Sequence, residues 1–224
     1  MNHVTTAPPP RRLRADAARN QQRIIAAARE LFADRGLEVT LDDVAERAGV
    51  GVGTVYRRFA NKQELISEVF DQMITELGHE VETALHHTDP WEGLVGLFDY
   101  ACRHMAANRG FSEVVLELHD SMDRFVCMKE RIAPGMSAVI SRAKEAGALQ
   151  PEIETSDFFA MVNMVDGVAG FARTVNPDVW QRYMAVILNG VRGDGVARMP
   201  LTQPALTDDE VERAKQAMHD CRKR

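Results

Sequence analysis

The sequence has few cysteines, few aromatic residues and no long hydrophobic run. Its three cysteines, Cys102, Cys127 and Cys221, are odd in number and widely spaced, so they form neither a disulfide framework nor a zinc-binding pattern. Such usage is typical of a reducing cytosol, and we expect a cytoplasmic protein. No apolar run is long enough to cross a bilayer, and the polar, proline-rich N-terminus does not have the pattern of a signal peptide.

The sequence also lacks the residue sets of an enzyme or a metal site. His79, Glu82 and His86 could share one helical face, but a metal site needs three or four converging ligands, and exposed histidines explain the pattern as well. The glycines between residues 49 and 53 do not form a phosphate-binding loop, because that loop needs a preceding strand. No nucleophile, base and orienting group can be identified, so we expect no enzyme activity, no metal and no cofactor.

Charge is distributed unevenly along a chain whose net charge is −6. Residues 11–62 carry eleven Lys and Arg against seven Asp and Glu, a net charge of +4, and the remaining residues have a net charge of −10. Chance could produce this asymmetry. The basic part nevertheless coincides with the motif described next. This indicates a basic part that contacts DNA phosphates, attached to an acidic body that the phosphates repel.

The stretch from Thr40 to Phe59 predicts two short helices joined by a tight turn. Thr40 and Asp43 have capping-box spacing, and Gly49 is expected to end the first helix because residues at this position often have a positive φ. One apolar face recurs at helical spacing in the first helix: Leu41, Val44, Ala45 and Ala48.

The second helix of this stretch is expected to place Val52, Val55 and Phe59 on one side. Its other sides then carry the polar and basic residues Thr54, Tyr56, Arg57 and Arg58. Two helices at a steep angle across a short glycine-containing turn make a helix-turn-helix, whose second helix can enter a DNA major groove.

Residues 53–65, GTVYRRFANKQEL, are similar to the signature of the tetracycline-repressor (TetR) family of transcriptional regulators. The similarity begins upstream, at residues 23–28 (RIIAAA) and at Leu31, Phe32 and Gly36, and it covers roughly the first third of the chain. A helix-turn-helix pattern alone has little specificity, whereas the combined pattern is specific. The resemblance implies a three-helix DNA-binding head on an all-α body, and the helical periods throughout the chain also favour an all-α protein.

The resemblance implies roles for six residues of the head. Thr40, Tyr56 and Lys62 would contact phosphates, Thr54 would reach bases or phosphates, and Arg58 stands where the family commonly has a backbone-contacting His. Arg57 is a candidate base reader, because Arg pairs bidentately with guanine. A solvated surface side chain is the alternative for each. Gly51 and Val52 depart from the family pattern, in which Ser or Thr precedes a polar or basic residue, so fewer side chains can hydrogen-bond to bases.

The predicted organisation has four parts. Residues 1–14 form a disordered basic arm, in which Arg11 and Arg12 either lie along DNA or belong to a solvated tail. Residues 15–62 form the DNA-binding domain, and residues 63–195 form a helical regulatory and dimerisation domain that begins with a long helix from Lys62. Residues 196–224 form a linker and a short helix, and the sequence does not decide whether that helix docks on the body.

The body contains two sets of apolar residues with different expected uses. Met and Phe suit adaptable apolar pockets, so a pocket for a small molecule is expected around Met73, Phe98, Met105, Met122, Phe125, Met161 and Met164, with ordinary core packing as the alternative for each. The last two body helices are apolar on several faces, which indicates burial on several sides. A homodimer interface is therefore expected at Phe158, Val162, Gly167, Gly170, Trp180, Tyr183, Met184 and Ile187.

We therefore expect a ligand-responsive transcriptional regulator, specifically a repressor that binds a near-palindromic double-stranded DNA operator as a homodimer. A small apolar or amphipathic effector would release it. The first alternative is a ligand-independent architectural DNA-binding dimer. A second is a protein-interaction module, which would show no salt-dependent duplex binding.

Overall fold

The computed structural model describes residues 11–107 and 122–221. Within these ranges it contains no β-strand and nine α-helices: α1 (Arg11–Arg35), α2 (Leu41–Ala48), α3 (Val52–Arg58), α4 (Lys62–His86), α5 (Pro90–Ala107), α6 (Met122–Glu145), α7 (Thr155–Ala172), α8 (Trp180–Val191) and α9 (Asp208–Cys221). The all-α prediction is confirmed. None of the described helices is long and apolar enough to span a bilayer. The chain divides into two compact units after Gln72, within α4.

The first unit is built on α1. Its inward residues Ile24, Ala28, Leu31 and Phe32 are buried, as the helical spacing predicts. α1 packs against α2, and α2 packs against α3. The described part of α1 begins at Arg11, within the predicted arm of residues 1–14, and residues 1–10 of that arm lie outside the described residues.

α2 begins and ends with the predicted caps. The backbone N–H of Asp43 donates to Thr40 Oγ1 at 3.1 Å, and the N–H of Thr40 donates to Asp43 Oδ2 at 2.8 Å. Gly49 ends the helix with φ +62°, a conformation that L side chains rarely adopt. Its carbonyl accepts a hydrogen bond from Arg23 Nη2 at 3.3 Å, which links the turn to α1.

α3 is held by Val55 and Phe59, which are both buried as predicted. The prediction that Val52 shares their side was wrong, because 43% of Val52 is exposed. Helical spacing had grouped Val52 with Phe59. The helix ends at Arg58, however, and Phe59 has an extended backbone (φ −129°, ψ 111°), so helical spacing does not extend to that residue.

The second unit is organised around α5, which packs against α6, α7 and α8. Phe98 is buried and meets Phe158 of α7 edge to face, with ring centroids 5.2 Å apart. The guanidinium of Arg103 lies over the ring of Trp180, at 5.7 Å from its centroid. The apolar spacing of residues 111–119 predicts a further short helix, which lies outside the described residues.

Two connections in the second unit have no counterpart in the sequence patterns. Arg142 of α6 donates to the carbonyls of Ala84, His87 and Thr88, and so links α6 to the end of α4 and to the chain that follows it. The chain after α6 also pairs with the chain after α8, because the N–H of Gly193 donates to the carbonyl of Ala148 at 2.7 Å. A Cβ on Gly193 would lie 1.9 Å from the carbonyl oxygen of residue 147, so this approach requires glycine.

The C-terminal segment docks on the second unit. Asn189 of α8 pairs with the backbone of Met199, accepting from its N–H at 2.8 Å and donating to its carbonyl at 3.0 Å. α9 packs against α7. A capping box is present at its start, with the N–H of Thr207 donating to Glu210 Oε2 at 2.8 Å.

Candidate nucleic-acid interface

The outer face of α3 is formed by Val52, Tyr56 and Arg57. Tyr56 is 51% exposed, and Arg57 is also exposed. One turn separates Val52 from Tyr56, so the two side chains lie on the same side of the helix. The buried Val55 and Phe59 hold the opposite edge, and the outer face is therefore presented on a fixed support.

Thr54 and Arg57 are linked within α3. Arg57 Nη2 donates to Thr54 Oγ1 at 3.3 Å, across one turn of the helix. This bond draws the guanidinium toward the N-terminal part of α3. In helix-turn-helix proteins that part of the second helix contacts base edges.

Arg58 is held by residues that the sequence patterns did not identify. Its Nη2 lies 3.6 Å from Glu68 Oε2, and its guanidinium lies over the Phe59 ring at 4.9 Å. Gln21 Nε2 of α1 donates to the other carboxylate oxygen of Glu68 at 3.1 Å. Glu68 therefore joins α1, α3 and α4 around Arg58. Sequence reasoning missed it because these residues are far apart in the chain and belong to no local motif.

Thr40 lies at the start of α2, and both of its hydrogen-bond donors are engaged there. Its hydroxyl donates to Asp43 Oδ2 at 2.6 Å, and its N–H donates to the same oxygen. The hydrogen bond from the hydroxyl, followed by that from the N–H, holds the pKa of the Asp43 carboxyl below its ordinary value of 3.8. Both donors of Thr40 thus serve the helix cap, and a phosphate would have to displace a carboxylate to reach them.

Lys62 is the first residue of α4, as predicted, and follows a capped start. The N–H of Glu64 donates to Asn61 Oδ1 at 2.9 Å, and Glu64 Oε2 accepts from the N–H of Ala60 at 2.8 Å. Arg11 and Arg12 begin α1, and their side chains lie outside the described part of the chain.

The described residues of the predicted pocket differ in burial. Phe98 belongs to the core, and Met73, Met105 and Met161 are half-buried. Met164 is 61% exposed, so its assignment to a pocket within the protomer is wrong. The side chains of the two other predicted residues, at positions 122 and 125, lie outside the described part.

The predicted dimer residues divide into two groups. Four are buried within the protomer and are unavailable to a second copy: Phe158, Val162, Trp180 and Met184. Their assignment to the interface is corrected, because a helix that is apolar on several faces does not reveal which face packs inward. Gly167 and Gly170 are exposed, and Tyr183 and Ile187 are half-buried.

None of the exposed residues of α7 and α8 is charged, and the charged residues of these helices, Asp157, Asp166 and Arg182, are half-buried. On α7 the exposed residues between positions 156 and 170 are Ser156, Phe159, Ala160, Asn163, Met164, Gly167 and Gly170. On α8 they are Val186 and Gly190. Surface helices ordinarily carry charged or polar residues on their outer side, so this face differs from a solvated one.

The remaining titratable residues form no second site in the described ranges. No three His, Cys, Asp or Glu side chains there are placed to hold a metal ion. Cys102 is buried, and desolvation raises the pKa of its thiol, as is expected for an inert core cysteine.

Comparison with known proteins identifies both units. Residues 24–69 match the family model of bacterial regulatory proteins of the tetR family, and residues 89–193 match that of the SbtR-like transcriptional regulator C-terminal domain.

The chain is 26% identical over 188 residues to the HTH-type transcriptional repressor KstR2 of Mycobacterium tuberculosis, covering 77% of this chain and 93% of that protein. It is 33% identical over 108 residues to the uncharacterised HTH-type transcriptional regulator TtgW of Pseudomonas putida, covering 47% and 79%. The crystal structure of a TetR transcription regulatory protein from Mycobacterium vanbaalenii is similar, with a TM-score of 0.61, 28% identity, and 80% and 99% of the two chains covered.

Proposed function

The chain belongs to the TetR family of DNA-binding transcriptional regulators, and we propose that it is a homodimeric repressor released by a small apolar or amphipathic effector. The observation that carries the proposal is the outer face of α3, which combines an exposed Tyr56 and Arg57 with a buried edge at Val55 and Phe59. A helix presented in this way fits the major groove of DNA.

Phosphate contacts supply most of the affinity in this proposal. Tyr56 and Lys62 are the residues assigned to them, and the net charge of +4 over residues 11–62 favours their approach to the duplex. Each contact by a cation releases condensed counterions from DNA, so the affinity falls as salt rises.

Base contacts supply the specificity. Arg57 is assigned to a guanine, whose two major-groove acceptors match the two donors of a guanidinium. The hydrogen bond to Thr54 restricts the guanidinium before DNA binds, so less side-chain entropy is lost on binding.

Arg58 and Thr40 have supporting roles. The ion pair with Glu68 holds Arg58 toward α4, and we assign Arg58 a contact with the DNA backbone. Thr40 caps α2, the helix against which α3 packs, and so acts on the interface through the support of α3.

The uncharged face of α7 and α8 is the surface assigned to the second copy. Phe159, Met164 and Val186 are exposed on it, and Gly167 and Gly170 have no atom within 4 Å of a built Cβ, so they would allow close helix approach. A dimer with twofold symmetry would place two copies of α3 one helical turn of DNA apart, about 34–36 Å, on a near-palindrome.

Release by an effector requires two states with different affinities for it. The half-buried Met105 of α5 and Met161 of α7 are the described residues that best suit an adaptable apolar site. In one of these states the two copies of α3 would be spaced unsuitably for DNA. An effector that binds this state more tightly would shift the population toward it. The shift cannot exceed the difference between the effector's affinities for the two states. α4 belongs to both units and is the element assigned to transmit the change.

The test begins with selection of bound sequences from a random duplex pool by the full chain. A near-palindrome is expected, with two protomers bound per site. Its affinity should fall by several powers of ten between about 50 and about 200 mM salt. A panel of apolar and amphipathic compounds is then screened for loss of operator binding. Failure to enrich any sequence would contradict the repressor proposal, and specific binding that no compound changes would favour the architectural alternative.

A further inference from the structure

The first two residues of α3 offer DNA only one side chain. Val52 stands between Gly51 and Gly53, and it is one of the few large apolar residues exposed in the described chain. A Cβ built on Gly53 meets nothing within 4 Å, and one built on Gly51 meets only Thr54 Oγ1 at 3.9 Å. The space around this turn is open, so the two glycines are not required by packing within the protein.

Local stability does not explain the segment either. Valine and glycine are both weaker helix formers than alanine. Val52 is the first residue of α3 and Gly53 is the second. This turn therefore combines poor helix formers with an apolar side chain left in water. A partner that covers the isopropyl group would account for both features.

The chemistry of the major groove limits what this partner can be. An isopropyl group neither donates nor accepts a hydrogen bond. The edges of base pairs in the major groove are donors and acceptors, with one apolar exception, the 5-methyl group of thymine. Residues at the start of a recognition helix are those that contact base edges. Two flanking residues without side chains let the backbone come close enough for a short side chain to touch the base.

We propose that Val52 reads a thymine in each half-site through its 5-methyl group. This inference rests on the proposed function, since it requires α3 to enter the major groove. It assigns to Val52 a specificity that polar readout by Arg57 does not supply. The preference at that position is set by van der Waals contact and by exclusion of water from two methyl-bearing groups.

The test removes single methyl groups from the DNA. In the selected operator, each thymine is replaced in turn by 2′-deoxyuridine in both half-sites, which preserves base pairing and every hydrogen-bonding group. For the wild-type protein, one symmetric pair of replacements should weaken binding roughly fourfold per half-site, or roughly 16-fold in all. The same replacement should change the affinity of Val52→Ala less than about twofold in all. Val52→Thr retains one methyl group of the side chain and should remain sensitive to deoxyuridine.

A matched control separates this role from a general loss of apolar surface. Leu201 is exposed to the same extent as Val52, 43%, and lies outside α3. Leu201→Ala should keep the full deoxyuridine effect, and thermal unfolding of all variants establishes that they are folded. The protein could bind its operator specifically and yet show no thymine methyl effect that depends on residue 52. That result would overturn the proposal and leave the repressor function standing. Failure of the wild type to select any sequence would overturn both.

Discussion

α3 and α7 both expose large apolar side chains, but different residues surround them. On α3, the exposed Val52 and Tyr56 share the helix with two exposed arginines at positions 57 and 58. On α7, the other exposed residues around Phe159 and Met164 are all uncharged, and Asp157 and Asp166 are half-buried. Both helices are supported from below by a buried apolar edge, so neither exposed set is needed for the protomer core.

The difference indicates the kind of partner that each helix fits. Cations beside apolar groups suit a polyanion whose grooves contain methyl groups, because the phosphates attract the cations and the bases meet the apolar groups. An apolar face depleted of charge resembles the centre of a protein–protein interface. Exposed apolar area by itself would not separate the two cases. The adjacent charges do, and the following predictions test this distinction.

The largest effect is expected for the contact that fixes the end of α8. In Gly193→Ala, the new Cβ would overlap the carbonyl of residue 147, so the loops after α6 and α8 must separate. We expect a loss of about 3 kcal/mol in the free energy of unfolding, measured by denaturant titration. Gly195→Ala is the matched control, since its Cβ meets nothing within 4 Å, and it should change stability by less than about 0.5 kcal/mol. Equal stability of the two variants would show that this contact does not hold α8.

A charge on the face of α7 should break the dimer without unfolding the protomer. Phe159→Glu would bury two uncompensated carboxylates in a symmetric interface, and we expect its dissociation constant to rise on the order of 100-fold. Analytical ultracentrifugation measures the change. Met218→Glu on α9 is the control, because Met218 is a large apolar residue that is similarly exposed on another helix. Dissociation caused equally by both substitutions, or by neither, would contradict the assignment of the α7 face.

Two substitutions in the head should separate base contacts from phosphate contacts. Arg57→Ala should weaken operator binding by about 2 kcal/mol, roughly 30-fold, and relax the preference at one base pair. Lys62→Ala should weaken binding to every duplex to a similar extent and reduce the slope of log affinity against log salt by about 1. Fluorescence anisotropy on the operator and on a scrambled duplex measures both. A uniform loss in the Arg57 variant would assign that residue to phosphate instead.

The smallest effect concerns the support of α3 and depends on pH. The folded-state pKa of Asp43 lies below its ordinary value of 3.8, mainly because the Thr40 hydroxyl donates to it. The stabilisation is therefore fully present above about pH 4 to 5, and it is lost as the pH falls through the folded pKa. Thr40→Val removes the hydroxyl and keeps the N–H, so the Asp43 pKa should rise part of the way toward 3.8. A carboxyl titration followed by NMR measures this rise, and an unchanged pKa would contradict the stated cause.

Features that depend only on residues close together in the sequence could be predicted. The cap at Thr40 and Asp43, the turn at Gly49 and the buried Val55 all follow from local spacing, and the structure confirms them. The exposure of Val52 could not be predicted by periodicity, because Val52 is the first residue of α3 and the space around that turn is open. Glu68 acquires its position beside Arg58 only through packing between distant segments.

In the second unit, even more of the packing could not be predicted from local sequence patterns. Apolar residues on several faces of α7 and α8 predicted two packing partners, but not which residues serve which partner. Phe158 and Trp180 belong to the protomer core, whereas Phe159 and Val186 are exposed. On α7, a shift of one residue along the helix exchanges a core position for an exposed one. Composition alone does not show which residue takes which position.

The most direct test of the account is the affinity of the full-length protein for its selected operator, compared with a scrambled duplex of the same composition at physiological salt. The account predicts a preference of at least about a thousandfold, with two protomers bound per operator. This preference should fall in Arg57→Ala and in Val52→Ala, and should be unchanged in Leu201→Ala. Equal affinity for the two duplexes, or a preference that survives both substitutions on α3, would contradict the claim that the outer face of α3 reads DNA.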